Sequence, residues 1–142
     1  MSTVIEIADA IVASLNAGTF SQPFEAERKY QPVFELPDMQ TLHVSVVPRA
    51  VAITTATRDS SYFDCAVDVG VQKKVNPDEP DELDALMTLV EEIADHLRMK
   101  RLDEAQQAAW VAIENEPAFA SEHLDQQRVF TSVLTVTYRV RR

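Results

Sequence analysis

One cysteine and two glycines in a chain of 142 residues remove whole classes of protein before any pattern is sought. With Cys65 alone, no intrachain disulfide and no cysteine-based zinc cage can form, and nothing argues for an oxidising compartment. Gly18 and Gly70 are too few and too far apart for a Walker loop or a dinucleotide-binding glycine loop, so P-loop ATPases and Rossmann dehydrogenases are excluded. Long apolar runs are missing too, and the opening MSTVIEIADAIVASL carries Glu6 and Asp9 where a signal peptide would carry basic residues. A soluble, unprocessed, intracellular protein with no membrane association is the expectation. Positive charge is also scarce: 13 Lys and Arg face 23 Asp and Glu, a net charge of −10 that opposes condensation onto nucleic acid or an anionic bilayer.

Apolar residues, by contrast, are plentiful at 46%, enough for one domain over residues 1–142. A chain of this length buries about 70% of its unfolded surface without disulfide or metal staples. Val4, Ile5, Ala8, Ile11, Val12 and Leu15 recur at helical spacing, Thr3 and Glu6 form a capping-box pair, and Gly18 suits a left-handed C-terminal cap. A first helix over about residues 3–16 follows. Leu83, Leu86, Met87, Val90, Ile93, Ala94 and Leu97 predict a second helix over about 80–100, with Arg98, Lys100 and Arg101 at its cation-favouring end.

Between the helices the period changes to two. Phe24, Ala26 and Tyr30 alternate with charged residues, with Arg28 interrupting the apolar face. Leu42, Val44 and Val46 predict a second strand, and Val51 to Thr55 a further short one beyond Pro48. Phe63, Cys65, Val67, Val69 and Val71 alternate most clearly. Trp110 to Ile113 fits a strand or a helical turn, with strand preferred. Phe130, Leu134, Val136, Tyr138 and Val140 give a long closing strand. The order α-β-β-β-α-β(-β) predicts an α+β fold, two helices on one face of a mostly antiparallel sheet. Phe130, Leu134, Val136 and Tyr138 are expected to pack against Val4, Ile11, Leu15, Leu86, Val90 and Ile93.

No catalytic constellation emerges. His43, His96 and His123 lie in three separate segments without metal-ligand spacing, and the expectation is that all three face solvent, His43 on a strand, His96 on the second helix and His123 in a loop. Cys65 sits on the apolar side of its strand, where a thiol acts as a small hydrophobe. Ser60 and Ser61 lack a nucleophile-elbow glycine. Asp78, Glu79, Asp81, Glu82 and Asp84 lack the glycine and ligand spacing of a calcium loop and suit a helix N-terminus. No metal and no cofactor are expected. Arg49, Arg58, Arg139 and Arg141 read either as ordinary strand-edge charge or as contacts to a partner, with Asp78 and Glu79 of a neighbouring copy as complementary anions. The polar stretch Pro48 to Ser61 reads as a loop carrying such contacts.

The opening helix ending in Leu15 to Gly18, the strand pair closing on Phe63 to Val75, the helix DELDALMTLVEEI at 81–93 and the closing strand VFTSVLTVTY at 129–138 together resemble the tail-terminator and tail-completion group of head-tail joining proteins in long-tailed phages. The resemblance covers nearly the whole chain in element order. It implies an α+β sandwich whose copies form a ring, commonly hexameric, on the head-proximal end of the tail tube. It implies contacts with the tail tube protein and with neck and connector proteins, DNA only as cargo passing through the lumen, and a virion location after assembly in the host cytoplasm. No enzymatic activity or cofactor accompanies it. The alternatives are a neighbouring neck component, connector or stopper, or a bacterial intracellular binding or adaptor module without a virion role, with an enzyme third.

Overall fold

A computed structural model describes residues 2–30, 41–76, 78–103, 105–115 and 128–142. The elements run α1 (Thr3–Ala17), β1 (Ala26–Arg28), β2 (His43–Thr57), β3 (Ser60–Lys74), α2 (Pro80–Leu97), β4 (Ala109–Asn115) and β5 (Val129–Arg141). The five strands form one sheet in the order β1-β2-β3-β5-β4, antiparallel except for the β1–β2 pair. This is the expected α+β architecture, and the segment around Trp110 is a strand.

β3 is the axis of the sheet. Val67, Val69 and Val71 sit opposite Pro48, Val46 and Val44 on one side and Val136, Leu134 and Ser132 on the other. Because side chains alternate along a strand, this register puts all of them on one face, and both helices cover it. Ile7, Ile11 and Leu15 of α1 and Leu86, Leu89, Val90, Ile93 and Leu97 of α2 join Phe130, Leu134, Val136 and Tyr138 in one buried cluster, with Val4 packed at its margin. Burial of Ile7 and Leu89 rotates each helix slightly from the stripe the sequence suggests, since α1 rests across β1, β2 and β3 and α2 leans on β5.

Several local features differ from expectation for identifiable reasons. The N-cap of α1 is Ser2, whose carbonyl accepts the Glu6 N–H at 3.0 Å; neither a Ser2 side-chain bond nor a Thr3 capping box forms. Gly18 is extended at φ −81° and not left-handed. Its lack of a side chain is needed for space instead: a Cβ there would stand 2.9 Å from the Phe20 ring and 3.0 Å from the His96 ring. α2 stops at Leu97, and Met99 takes the left-handed φ of 57°, so Arg98, Lys100 and Arg101 lie past the helix end.

Arg28 interrupts the apolar face of β1 because it points at α1 and binds Asp9 at 2.6 Å. β1 spans only Ala26–Arg28, anchored by Asn16, whose side chain accepts the Ala26 N–H at 2.8 Å and donates to the Ala26 carbonyl at 3.1 Å.

The stretch from Pro48 to Ser61 is not a loop between short strands. β2 runs unbroken through Pro48 for 15 residues and turns back into β3 at Arg58 and Asp59. Pro48 is tolerated because pairing with β1 has ended at Val46 and the register shifts at Arg49, where a missing N–H costs least. A second shift at Ala56 lets the turn close without any residue at positive φ. The result is a long hairpin whose outer strand is exposed from Arg49 to Thr55. Lower down, the sheet is closed on both faces, and even Ser45 and Gln72 on the side away from the helices are buried.

Leu134 is 2% exposed at the centre of this packing. Leu134→Ala is expected to lower the unfolding free energy by about 2 to 5 kcal/mol. Thr137→Ala, on the opposite face, should cost no more than about 0.5 kcal/mol. Urea titration at unchanged m value measures both, and equal small losses would reverse the facing of β5.

Candidate functional site

The sheet face away from the helices carries a row of arginines held by carboxylates of β3. Arg49, at the β2 bulge, donates to the Thr135 hydroxyl at 3.1 Å and lies 3.5 Å from Asp68; Thr135 donates in turn to Asp68 at 2.7 Å. Four residues along β5, Arg139 grips Asp64 with both arms of its fork, Nε at 2.7 Å and Nη2 at 3.0 Å, and lies 4.6 Å from the centre of the Tyr62 ring. The register makes this possible: Asp64 is directly opposite Arg139, and Asp68 directly opposite Thr135.

The hydrogen bonds from Arg139 hold the Asp64 carboxyl below its ordinary range, against the opposing effect of partial burial. Arg49 and Arg139 are therefore committed within the chain, each exposing part of its guanidinium.

The other two arginines gather at the hairpin tip. Arg58 is exposed in the turn, and Arg141 donates to the Ser60 hydroxyl at 3.1 Å beside it. Arg142 lies 5.0 Å from the Phe63 ring centre and donates to Thr3 at 2.8 Å, tying the tip to the start of α1. Asp78 and Glu79 are exposed at the start of α2, where Asp81 and Glu82 fill the first turn and Glu82 pairs with Lys73 at 3.3 Å. Lys73 and Ser60 lie at opposite ends of β3, about 45 Å of strand apart. Thus the basic tip and the acidic helix entrance lie at opposite ends of one stiff element.

His43 lies on the sheet face away from the helices and is half-buried; His123 is outside the described residues. His96 departs from the expected solvent-facing position. It is wedged half-buried between the helices, its Nε2 3.0 Å from the Ser14 hydroxyl and 3.1 Å from the Ser14 carbonyl, and its ring 5.3 Å from Phe20. Lys100 Nζ lies 3.5 Å from Nδ1. An ammonium only donates, so Nδ1 accepts and Nε2 carries the proton donated to Ser14. That polarity cannot draw a proton from the Ser14 hydroxyl, and the pair is a helix clasp, not a nucleophile and base.

Burial first, and the Lys100 charge second, lower the His96 pKa, opposed by the Ser14 carbonyl. Cys65 is fully buried and its thiol is pushed up, chiefly by burial and then by the Asp64 charge, which leaves it unreactive. Burial also pushes Tyr138 up to about 12, its hydroxyl donating to the Leu97 carbonyl at 3.4 Å.

Among the described residues no three His, Cys, Asp or Glu side chains are grouped to hold a metal ion, and no helix is long and apolar enough to cross a membrane. Among the described residues, a concavity of about 330 Å³ beside Leu15, Phe20 and Phe24 presents no convergent charged groups. Neither a scan against protein-family models nor a search of curated proteins finds a match to this chain.

The arginine partners Asp64, Asp68 and Thr135 escaped the sequence reading because nothing in one strand states which residue faces it across the ladder. Their signal is present nonetheless: both aspartates occupy the polar side of the most regular alternation in the chain.

Two pH dependences follow. The Asp64 carboxylate, with its folded pKa depressed, stabilises fully above its unfolded value of about 3.9, and the contribution is lost as pH falls through the lower folded value. The stability gap between wild type and Asp64→Asn is thus expected at neutral pH and should close in acid. His96 is also depressed, so the unfolded chain binds the proton first, and stability falls as pH drops below about 6.5. Denaturant midpoints at about pH 7 and pH 5.5 should show that loss in wild type and not in His96→Gln.

Proposed function

We propose that this chain is a structural assembly subunit, forming the ring that terminates the tail tube of a long-tailed phage and joins it to the neck. The observation that carries this reading is the separation of charge along one rigid sheet, with exposed Arg58 and Arg141 at the hairpin tip and exposed Asp78 and Glu79 at the far end. A subunit whose two ends differ in sign is suited to stand between two different partners, the tube on one side and the neck on the other. The α+β class of the fold is compatible with this reading.

The arginines at the tip contribute forked donors to carboxylates of a partner. Arg49 and Arg139 serve differently, stiffening the sheet behind the tip through Asp68 and Asp64. The role requires no catalysis, no cofactor and no DNA affinity, and a net charge of −10 suits a lumen through which DNA passes without adhering.

Deleting the coding sequence from the phage or prophage that carries it is expected to give filled heads and separate tails of uncontrolled length, visible by electron microscopy. Tails of normal length beside leaking heads would transfer the role to a connector or stopper. Normal particles would overturn the virion reading in favour of a cellular adaptor. In the intact gene, Arg58→Ala with Arg141→Ala should leave the melting temperature within a few degrees while reducing the yield of joined particles.

A further inference from the structure

A sheet that does not close on itself has two edges, and among the described residues both are open. β1 pairs with β2 only at Val44–Val46, so from Arg49 to Thr57 no described strand lies on the outer side of β2. About 30 Å of backbone on that side thus has no strand partner among the described residues. β4 forms the other edge and is exposed or half-exposed throughout. Among the described residues, three of the five exposed large hydrophobics lie on these two edges, Val51 (41%) and Ile53 (59%) on β2 and Val111 (40%) on β4.

Soluble proteins usually guard such edges with lysine, proline or an inward charge. Between Ala50 and Thr57 the sequence AVAITTAT has none of these. The segment is rich in residues that favour pairing.

The chain itself indicates the occupant. If the Arg49–Thr57 edge of β2 paired with its own copy about a twofold axis, antiparallel and in full register, Ile53 would stand opposite Ile53 and Arg49 opposite the uncharged Thr57. The β4 edge offers Arg49 a carboxylate, Glu114, which lies opposite Thr135 on the face that Arg49 occupies. β2 and β5 run in the same sense because each is antiparallel to β3, and β4 is antiparallel to β5, so a second copy's β4 placed beyond β2 continues the antiparallel sheet with the helices on the same side.

Matching the faces restricts the register to steps of two residues, and the step that also brings a carboxylate to Arg49 is the one taken here. Val51 and Ile53 lie on the helix side, as do Ile113 and Trp110, whereas Ala52 and Ala112 lie on the other. Aligning like faces sets Val51 against Ile113 of the second copy, Ala52 against its Ala112 and Ile53 against its Trp110, with Val111 absorbed in the β4 bulge. Glu114 of the second copy then falls beside Arg49, whose side chain is 57% exposed.

We propose that the Arg49–Thr57 edge of β2 receives the β4 edge of a second copy of this chain, so that subunits join head to tail through a continuous intersubunit sheet. The contact uses different surfaces on its two sides, and such a contact closes into a ring when the rotation per subunit divides a full turn. The inference rests on the assembly reading above for that closure, and on the two edges alone for the contact.

Cysteine cross-linking tests it. In one chain, Ala52 and Ala112 are separated by three strand spacings, about 14 Å, too far for an internal disulfide. Native Cys65 is buried and takes no part. The double variant Ala52→Cys with Ala112→Cys, oxidised as purified protein and in extracts containing assembled particles, should give a ladder of dimers, trimers and higher species on a non-reducing gel. Each single variant should remain monomeric on that gel. Ile53→Lys in the double-cysteine background should remove the ladder without changing the melting temperature, and Glu114→Arg should weaken association about tenfold.

Dimers from Ala52→Cys alone would overturn the proposal in favour of twofold pairing, and no ladder in either preparation would overturn it outright. The two readings fail separately. A ladder with normal particles after gene deletion removes the phage role and leaves the contact, whereas uncontrolled tails without a ladder remove the contact and leave the role.

Discussion

Cys65, Val67, Val69 and Val71 are completely buried beneath the helices while the backbone that carries them is hydrogen-bonded on both sides, to β2 and to β5. That double constraint on β3 decides most of the molecule. A slip of one residue on either side would turn an entire set of valines toward the polar face, so the register is fixed by burial and every other strand takes its place from it. The helices follow: α1 and α2 have no independent site and lie where this valine row leaves an apolar surface to cover.

The same register disposes the charges. Asp64 and Asp68 occupy the polar side of β3, and the arginines across from them on β5 and at the β2 bulge are neutralised where they stand. Exposed ion pairs of this sort contribute little to stability individually. Their effect here is on geometry, because a forked arginine against a carboxylate and a tyrosine ring fixes the direction of the strand beside it. On the helix side Arg28 and Asp9 do the same for α1, which is why a charge can interrupt an otherwise apolar strand.

How much of this was legible depends on whether the information is local. The two helices, the alternation from Phe63 to Val71 and the facing of Phe130 to Val140 are written in spacing, and they lie where the spacing puts them. The α+β class followed from their order. The hairpin did not, because Pro48 read as a break, and a proline is harmless there because the described pairing with β1 ends at Val46. Gly18 was legible as important and misread as to cause, since one of the two rings that crowd it, that of His96, comes from the second helix. His96 looked like a surface residue for the same reason: Ser14, which it clasps, is 82 positions away. Of the arginines that the sequence singled out, it could not say which were already held by Asp64 and Asp68.

The bulge at Arg49 has one more implication, for length. Pro48 pairs with Val67 and Ala50 with Ala66, so Arg49 is a supernumerary residue opposite no single partner. A chain lacking it would keep every facing on both sides, with Val51 still over Cys65 and Ile53 over Phe63, and would lose the extra twist that a bulge introduces together with the Arg49 contacts to Thr135 and Asp68. Removing any regularly paired residue nearby would instead invert the strand beyond it. Position 49, like Ala56 at the second shift, is thus a place in this hairpin where the loss of one residue preserves the facing of both strands.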